Sequence, residues 1–395
     1  MSKTELQKIL DNHNGLLRLK PIFVPRRFGT AGKRLRLHPD DYFALGTKRG
    51  SIKERWFSSI IPAMNGPLAA PDEGLSYVCT EQGRILLKDF VETLGASLLG
   101  EVMMERYGTW PMYSKFFDYE DALFHHLHLG FEDAARVGRL GKPEAYYYPP
   151  QLNNYAGSSP YTYFGFSPEV TKEEVKERLA DFENKDTRIT ELSRAYRIEL
   201  GTGWYTPPGV VHAPGSYLTY EPQWNSDVNS VYENVVHNEI YPYEMLVENC
   251  PADRQQDLDY VISLMDWDKN VDPDYRKHYF RAPVVCTQDE SHIEKWVVYG
   301  NPYIAAKELT VYPGCEAVIK DETPYGCILT QGHGEINGQA AETACILRLG
   351  QESADEFFVS YEAASKGVTV KNFSRQEPLV MLKHFPNHPG VAEHG

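Results

Sequence analysis

The stretch "ALFHHLHLGFED" (residues 122–133) places His125, His126 and His128 inside an otherwise apolar run. In a strand, alternate side chains share a face, so His126 and His128 point the same way while His125 points to the other side. Two imidazoles side by side are half of a metal site. Standing alone, the same pattern is more often a pair of hydrogen-bonded core or surface histidines. What the rest of the chain can bring to that face decides between the two.

Sixteen residues beyond His128, the segment "GKPEAYYYPP" (141–150) offers Glu144 at the head of a Tyr-rich run that suits a strand or an extended segment. Lys142 lies two positions before Glu144, so in a strand both side chains enter the same cavity. A like-charged divalent cation nearby would disfavour the ammonium of that lysine and suit it to proton transfer. Further on, "GTGWYTPPGVVHAPG" (201–215) runs through a glycine turn, a strand and a Pro-Pro-Gly corner to His212. Small β-barrels use such corners to turn a strand inward, which aims His212 at the lumen. Three imidazoles and a carboxylate make a complete donor set for a divalent cation.

The remaining sequence fits a β-rich host for such a site. Runs such as "YRIELG", "YLTYEP", "KWVVYG", "CILTQG" and "EFFVS" are separated by turn residues, among 26 Pro, 30 Gly and 26 Tyr. Short strands in this arrangement indicate sandwich or barrel units. Helical spacing is confined to 86–108, where a glycine interrupts it, to 171–183, opened by Thr171 and Glu174 as a capping box, and to 252–267. The expected division is 1–110, strands and helices completing the first barrel, then 111–298, the metal-binding domain with a helical insert at about 168–195, then 299–395, a second barrel without a metal motif.

A net charge of -15 argues against nucleic-acid or anionic-membrane partners. No segment approaches the roughly 18 uninterrupted apolar residues of a membrane span, and the N-terminus lacks a signal core, so the expected location is cytoplasmic. The six cysteines form no C-x-x-C pair, and most of them read as small core residues. "GTAGKR" (29–34) reads as a turn without phosphate-loop spacing, and His384 and His388 in "HFPNHPGV" (384–391) read as a solvated tail. The expected partner is a small molecule, and a homo-oligomer is compatible with the sequence.

From about Ile85 to Pro283 the chain resembles the class I mannose-6-phosphate isomerases, zinc enzymes built from cupin barrels with a helical insert. Four blocks carry the resemblance in order: "WPMYSKFFDYEDALFHHLHL" (110–129), "GKPEAYYY" (141–148), "YTYFGFSPEVTKEEVKERL" (161–179) and "GWYTPPGVVHAPG" (203–215). The resemblance implies a mostly β fold of tandem cupin (jelly-roll) barrels, with His128, Glu144 and His212 as zinc ligands and Lys142 at the active site. His126 stands where the family has a glutamine ligand, so the implied set is three His and one Glu. That set also accommodates manganese, iron, cobalt or nickel. Glu132 satisfies the general cupin spacing His-x-His-x-x-x-Glu, but the Lys-Pro-Glu context favours Glu144, leaving Glu132 and Asp133 as solvated turn residues.

In "YLTYEPQWNSDVNSVYENVV" (217–236), Glu221, Gln223, Ser226, Asp227 and Tyr232 follow the family order, and Glu221 joins Lys142 as a residue near the substrate. The family arginine of this block is absent. Its place falls at Ser230 or is deleted, and no Arg occurs between Arg197 and Arg254. Serine cannot replace a guanidinium at a phosphate or an enediolate oxygen. The expected function is therefore a metal-dependent aldose-ketose isomerase acting on a sugar or sugar phosphate, with an unphosphorylated sugar preferred. A non-catalytic sugar- and metal-binding cupin and a metal-dependent oxygenase remain open beside it.

Overall fold

In the computed structural model, which describes residues 1–155 and 157–388, the chain is mostly β and builds two barrels back to back. One seven-stranded antiparallel sheet runs in the order Phe280–Arg281, Gly203–Thr206, Glu144–Tyr147, Thr219–Trp224, Met112–Phe117, Ser51–Phe57, Ile22–Arg26. Facing it is a five-stranded sheet in the order Ser193–Arg197, Tyr161–Phe166, His212–Ala213, His126–Leu127, Ser230–Val231. Phe117, Tyr146 and Trp204 from the first sheet and Phe164 from the second fill the space between them. Bulky aromatic and β-branched residues at alternating positions are what such a pleated, half-buried surface takes.

The second barrel pairs another seven-stranded sheet with a four-stranded sheet made of Glu316–Ile319, Val368–Asn372, His333–Ile336 and Gln339–Glu342. The chain's first residues sew the two barrels together. Leu16–Arg18 pairs with Glu356–Val359 in the second barrel, while Ile22–Arg26 pairs with Ser51–Phe57 in the first. The two large sheets share one apolar seam containing Phe116, Tyr220, Ile304, Ile328, Phe358 and Leu382.

That seam corrects the expectation for the C-terminus. His384 is fully buried on the strand Leu379–Pro386, where its Nδ1 meets Ser114 Oγ at 2.8 Å and Tyr220 OH at 3.0 Å. His388 is also buried, 3.4 Å from Asp321, and residues 389–391 of that stretch lie outside the described residues. The helical stretch at 86–108 is three helices, Leu87–Leu94, Ala96–Leu99 and Glu101–Tyr107. Gly95 and Gly100 break it because both adopt positive φ, 51° and 82°, which a helix cannot continue through. In the insert, Thr171 caps the helix Lys172–Leu179 by accepting from the Glu174 amide. Residues 252–267 hold a 3-10 turn at Ala252–Arg254, the short helix Leu258–Ser263 and the start of Trp267–Asn270.

Candidate metal centre

Two neighbouring strands, His126–Leu127 and His212–Ala213, deliver the histidines. His126 pairs directly with His212 across the five-stranded sheet, and His128 follows two residues later on the same side. The rings cluster, with centroids 4.2 Å apart for His126 and His212, 5.0 Å for His126 and His128, and 5.1 Å for His128 and His212. Their donor atoms all lie within 4.8 Å of one another, and all three residues are buried. The Pro-Pro-Gly corner fixes the approach of His212: Gly209, at φ 82°, donates its N–H to His128 O at 2.8 Å. A side chain at Gly209 would meet the backbone of Asp266 at 2.8 Å, so the turn takes glycine.

Glu144 reaches the cluster from the opposite sheet. Its Oε2 lies 3.1 Å from His128 Nε2 and its Oε1 lies 3.1 Å from His212 Nε2. Tyr146, on the same face of the strand, donates its hydroxyl to Glu144 Oε1 at 2.8 Å and steadies the carboxylate. Glu132, the alternative carboxylate, is exposed on the helix Phe131–Arg136. His125 occupies the opposite side, as alternation requires, but is buried there and donates from Nδ1 to Glu233 Oε2 at 2.7 Å.

The hydrogen bonds of the three rings decide what the cluster can hold. His126 Nδ1 faces Phe124 O at 3.0 Å, His128 Nδ1 faces Val228 O at 2.7 Å, and His212 Nδ1 faces Val210 O at 2.8 Å. A backbone carbonyl only accepts, so in each neutral ring the single N–H sits on Nδ1. Each Nε2 therefore turns a lone pair inward, toward the others and toward a carboxylate. Burial first, then the neighbouring rings, hold His126 far below the ordinary imidazole range. Burial and the Lys142 ammonium push His128 down to about 4. His212 Nε2 has no hydrogen-bond partner. Four acceptors converging away from water fit a divalent cation in both charge and donor type.

Beside this cluster Lys142 Nζ lies 2.8 Å from Glu144 Oε2, donates to His128 Nε2 at 3.1 Å and to Glu221 Oε1 at 3.3 Å. Burial alone would depress that lysine, but the Glu144 and Glu221 charges outweigh it and hold the ammonium above its ordinary range. The lowering expected from the sequence is therefore not a property of the protein's own charges. Glu221 is pushed up to about 8 by burial and by the charge of Glu144. Lys115 lies 3.4 Å from Glu221 Oε1.

His126, His128, Lys142, Glu144 and Glu221 line the base of a cavity of about 700 Å³. The cavity wall also carries residues the sequence did not single out. Arg26, from the first strand of the sheet, grips Glu54 through Nε at 2.9 Å and Nη2 at 3.0 Å, and Asp227 through Nη2 at 2.8 Å. Ser230, where the resemblance would place an arginine, is buried in the five-stranded sheet, and its hydroxyl has no partner. A guanidinium thus reaches the cavity from a strand about two hundred residues earlier, a distance no local spacing rule spans.

No protein-family profile matches the chain, and no curated protein sequence matches it. Solved structures do. The mannose 6-phosphate isomerase from Bacillus subtilis shares 16% identity over 94% of this chain and 99% of its own, with a TM-score of 0.61. A putative mannosephosphate isomerase from Archaeoglobus fulgidus shares 15% identity over 94% of this chain and 97% of its own, also at 0.61. A zinc-bound mannose 6-phosphate isomerase shares 12% identity over 94% of this chain and all of its own, again at 0.61. The fold of these structures is the fold of this chain.

Proposed function

We propose that the chain is a metal-dependent aldose-ketose sugar isomerase, a divergent relative of the mannose-6-phosphate isomerases, with His126, His128, Glu144 and His212 holding one divalent cation. The observation that carries this reading is the inward convergence of three imidazole lone pairs and a carboxylate at the base of an open cavity. Zinc suits the donor set, as do manganese, iron, cobalt and nickel. When bound, the cation supplies polarisation of a sugar oxygen. Glu221, near 8, stands close to neutrality between its proton-bearing and bare forms, as a group exchanging a proton between neighbouring carbons requires. Lys142 and Lys115 approach the same Glu221 oxygen and hold that carboxyl toward the cavity.

The preferred substrate is an unphosphorylated sugar. Lys142, Lys115 and Arg26 already face carboxylates, and Arg26 gives its donors to Glu54, Asp227 and, from Nη1 at 2.9 Å, Asn65. Little uncompensated positive charge is left at the base for the roughly two charges of a phosphate ester.

Metal analysis of protein purified without chelator should find about one divalent ion per chain. His128→Ala and His212→Ala should each lose most of it, and full retention in both rules out the centre. On the metal-loaded protein, kcat/KM for mannose should exceed that for mannose 6-phosphate. The opposite preference would point to Arg27 and Arg139, exposed on the cavity wall, as a phosphate site. A redox-active ion in the purified protein, with no exchange of the sugar C2 proton into D2O, favours the oxygenase reading.

A further inference from the structure

Arg26 is the most heavily engaged ion in the cavity wall. Its guanidinium is buried, with Glu54 on one edge, and Nη1 adds Asn65 Oδ1 at 2.9 Å and Asp227 Oδ2 at 3.2 Å. Two carboxylates and an amide oxygen therefore occupy the whole donor fork. Desolvating three charges costs several kcal/mol per ion, so such a cluster by itself is weak evidence of stabilisation. What the cluster does hold is geometry. Asp227 also accepts the Met64 amide at 2.8 Å, so Arg26 ties the strand Ile22–Arg26, the loop at residues 64–65 and residue 227 to a single point.

The residue after that point touches the candidate metal centre. Val228 O is the acceptor for His128 Nδ1 at 2.7 Å, the bond that puts the N–H of this ring on the outer nitrogen and turns the Nε2 lone pair inward, where Lys142 Nζ meets it at 3.1 Å. We infer that Arg26 is a positioning residue for His128, acting through Asp227 and the carbonyl of Val228 to set that ring's tautomer and direction. The inference rests on the metal site proposed above. It gives the buried arginine a task that no contact with substrate would explain, since its donors are already used. Partners that orient a ligating histidine from outside the ligand shell typically change metal affinity by about 10- to 100-fold when removed.

The test uses Co2+ as probe in the full chain, measured by chelator competition and by the visible absorption of the bound ion. Arg26→Gln and Asp227→Asn should each weaken Co2+ binding by about 10- to 100-fold and alter the absorption spectrum, with Arg26→Lys recovering part of both. Arg55→Gln is the control. Arg55 lies on the opposite face of the strand that carries Glu54 and pairs with Asp355 at 2.7 Å between the barrels. It should lower the melting temperature and leave affinity and spectrum unchanged. Asp227→Asn keeps the shape, removes the charge and turns one of the two acceptor oxygens into a donor, so the test stands should Arg26→Gln not fold. Unaltered Co2+ affinity and spectrum in the Asp227→Asn and Arg26→Gln proteins overturn this inference alone. No Co2+ binding in the unaltered chain overturns the metal site and the inference with it.

Discussion

The two barrels answer the same problem, polar groups inside a β-sandwich, in opposite ways. The first gathers acceptors in excess: three inward lone pairs and the Glu144 carboxylate, with Lys142 at 2.8 Å from Glu144, opening onto a cavity. The second gathers matched ions. Lys307 Nζ lies 2.9 Å from Glu294 and 2.7 Å from Asp321, and Lys383 Nζ meets the same two carboxylates, with Asp321 at 2.7 Å. Both ammoniums also lie over aromatic faces, Lys307 over Trp296 at 4.5 Å and Lys383 over Tyr325 at 5.1 Å. Two cations and two anions balance one another, and Asp321 is held well below the carboxylate range against the pull of burial. A cluster that satisfies itself is a plug. A cluster of acceptors has room for a cation from outside the chain, and the metal site proposed above rests on that difference.

Exchanging one charge in each barrel breaks the comparison most directly. Glu144→Gln replaces a charged donor by a neutral one and should reduce metal affinity by more than the roughly hundredfold expected for outer partners; it also takes the nearest charge from buried Lys142, so stability should fall with it. Lys383→Met leaves Glu294 and Asp321 with Lys307 as their remaining lysine and His388 beside Asp321, and breaking a buried pair in this way costs about 3–5 kcal/mol. Metal content of folded Lys383→Met should stay at the level of the unaltered chain. Denaturant titration and metal analysis of both proteins check this, and a second barrel whose substitution empties the first would mean that the two interiors are coupled.

Acid tests the seam between the barrels. Burial pushes His384 down to about 3, and the groups bonded to it, Ser114 and Tyr220, are neutral. Its folded pKa lies below the unfolded value near 6.5, so the unfolded chain binds a proton between pH 6.5 and 3 that the folded chain refuses. Stability should fall as pH drops through that window and be unaffected by this residue above it. The contribution at pH 5 is about 2 kcal/mol, from roughly 1.36 kcal/mol per pH unit. His126 and His128 add slope of the same sign. His384→Gln should therefore lose less stability than the unaltered chain between pH 7.5 and 5, measured as the shift in denaturation midpoint, while keeping the part due to the central rings.

Local pattern carried the reading as far as local pattern reaches. Period-two alternation put His126 and His128 on one side and His125 on the other, and the same rule placed Lys142 beside Glu144. The Pro-Pro-Gly corner marked the turn ahead of His212 because only certain residues make it. Arg26, Glu54 and Asp227 meet through pairing of distant strands, which leaves no spacing to find. The quartet in the second barrel is similar: Glu294, Lys307 and Lys383 sit on three strands and Asp321 on the segment after a fourth. His384 looked like a solvated tail because nothing near it in the sequence says that its strand lies in the middle of a seven-stranded sheet. Alternation tells which residues share a face. It does not tell what that face is packed against.

The finest distinction lies within the first barrel, between two carboxylates near His128 in the chain. Glu132 has the spacing of a ligand but leaves on an exposed helical turn, whereas Glu144 returns on a strand of the opposite sheet. Exposed side chains away from caps and buried networks usually change stability by no more than about 0.5 kcal/mol when replaced. Glu132 is in the first turn of the helix Phe131–Arg136, where a negative charge favours the helix N-terminus by roughly 0.3–1 kcal/mol. Glu132→Gln should therefore cost a few tenths of a kcal/mol at most and leave metal content, metal affinity and the Co2+ spectrum as they are. Parallel metal titrations of Glu132→Gln and Glu144→Gln make the comparison. A loss of affinity in Glu132→Gln equal to that in Glu144→Gln would show that the helical turn folds back onto the histidines, and that the ligand set is drawn from the spacing and not from the facing sheet.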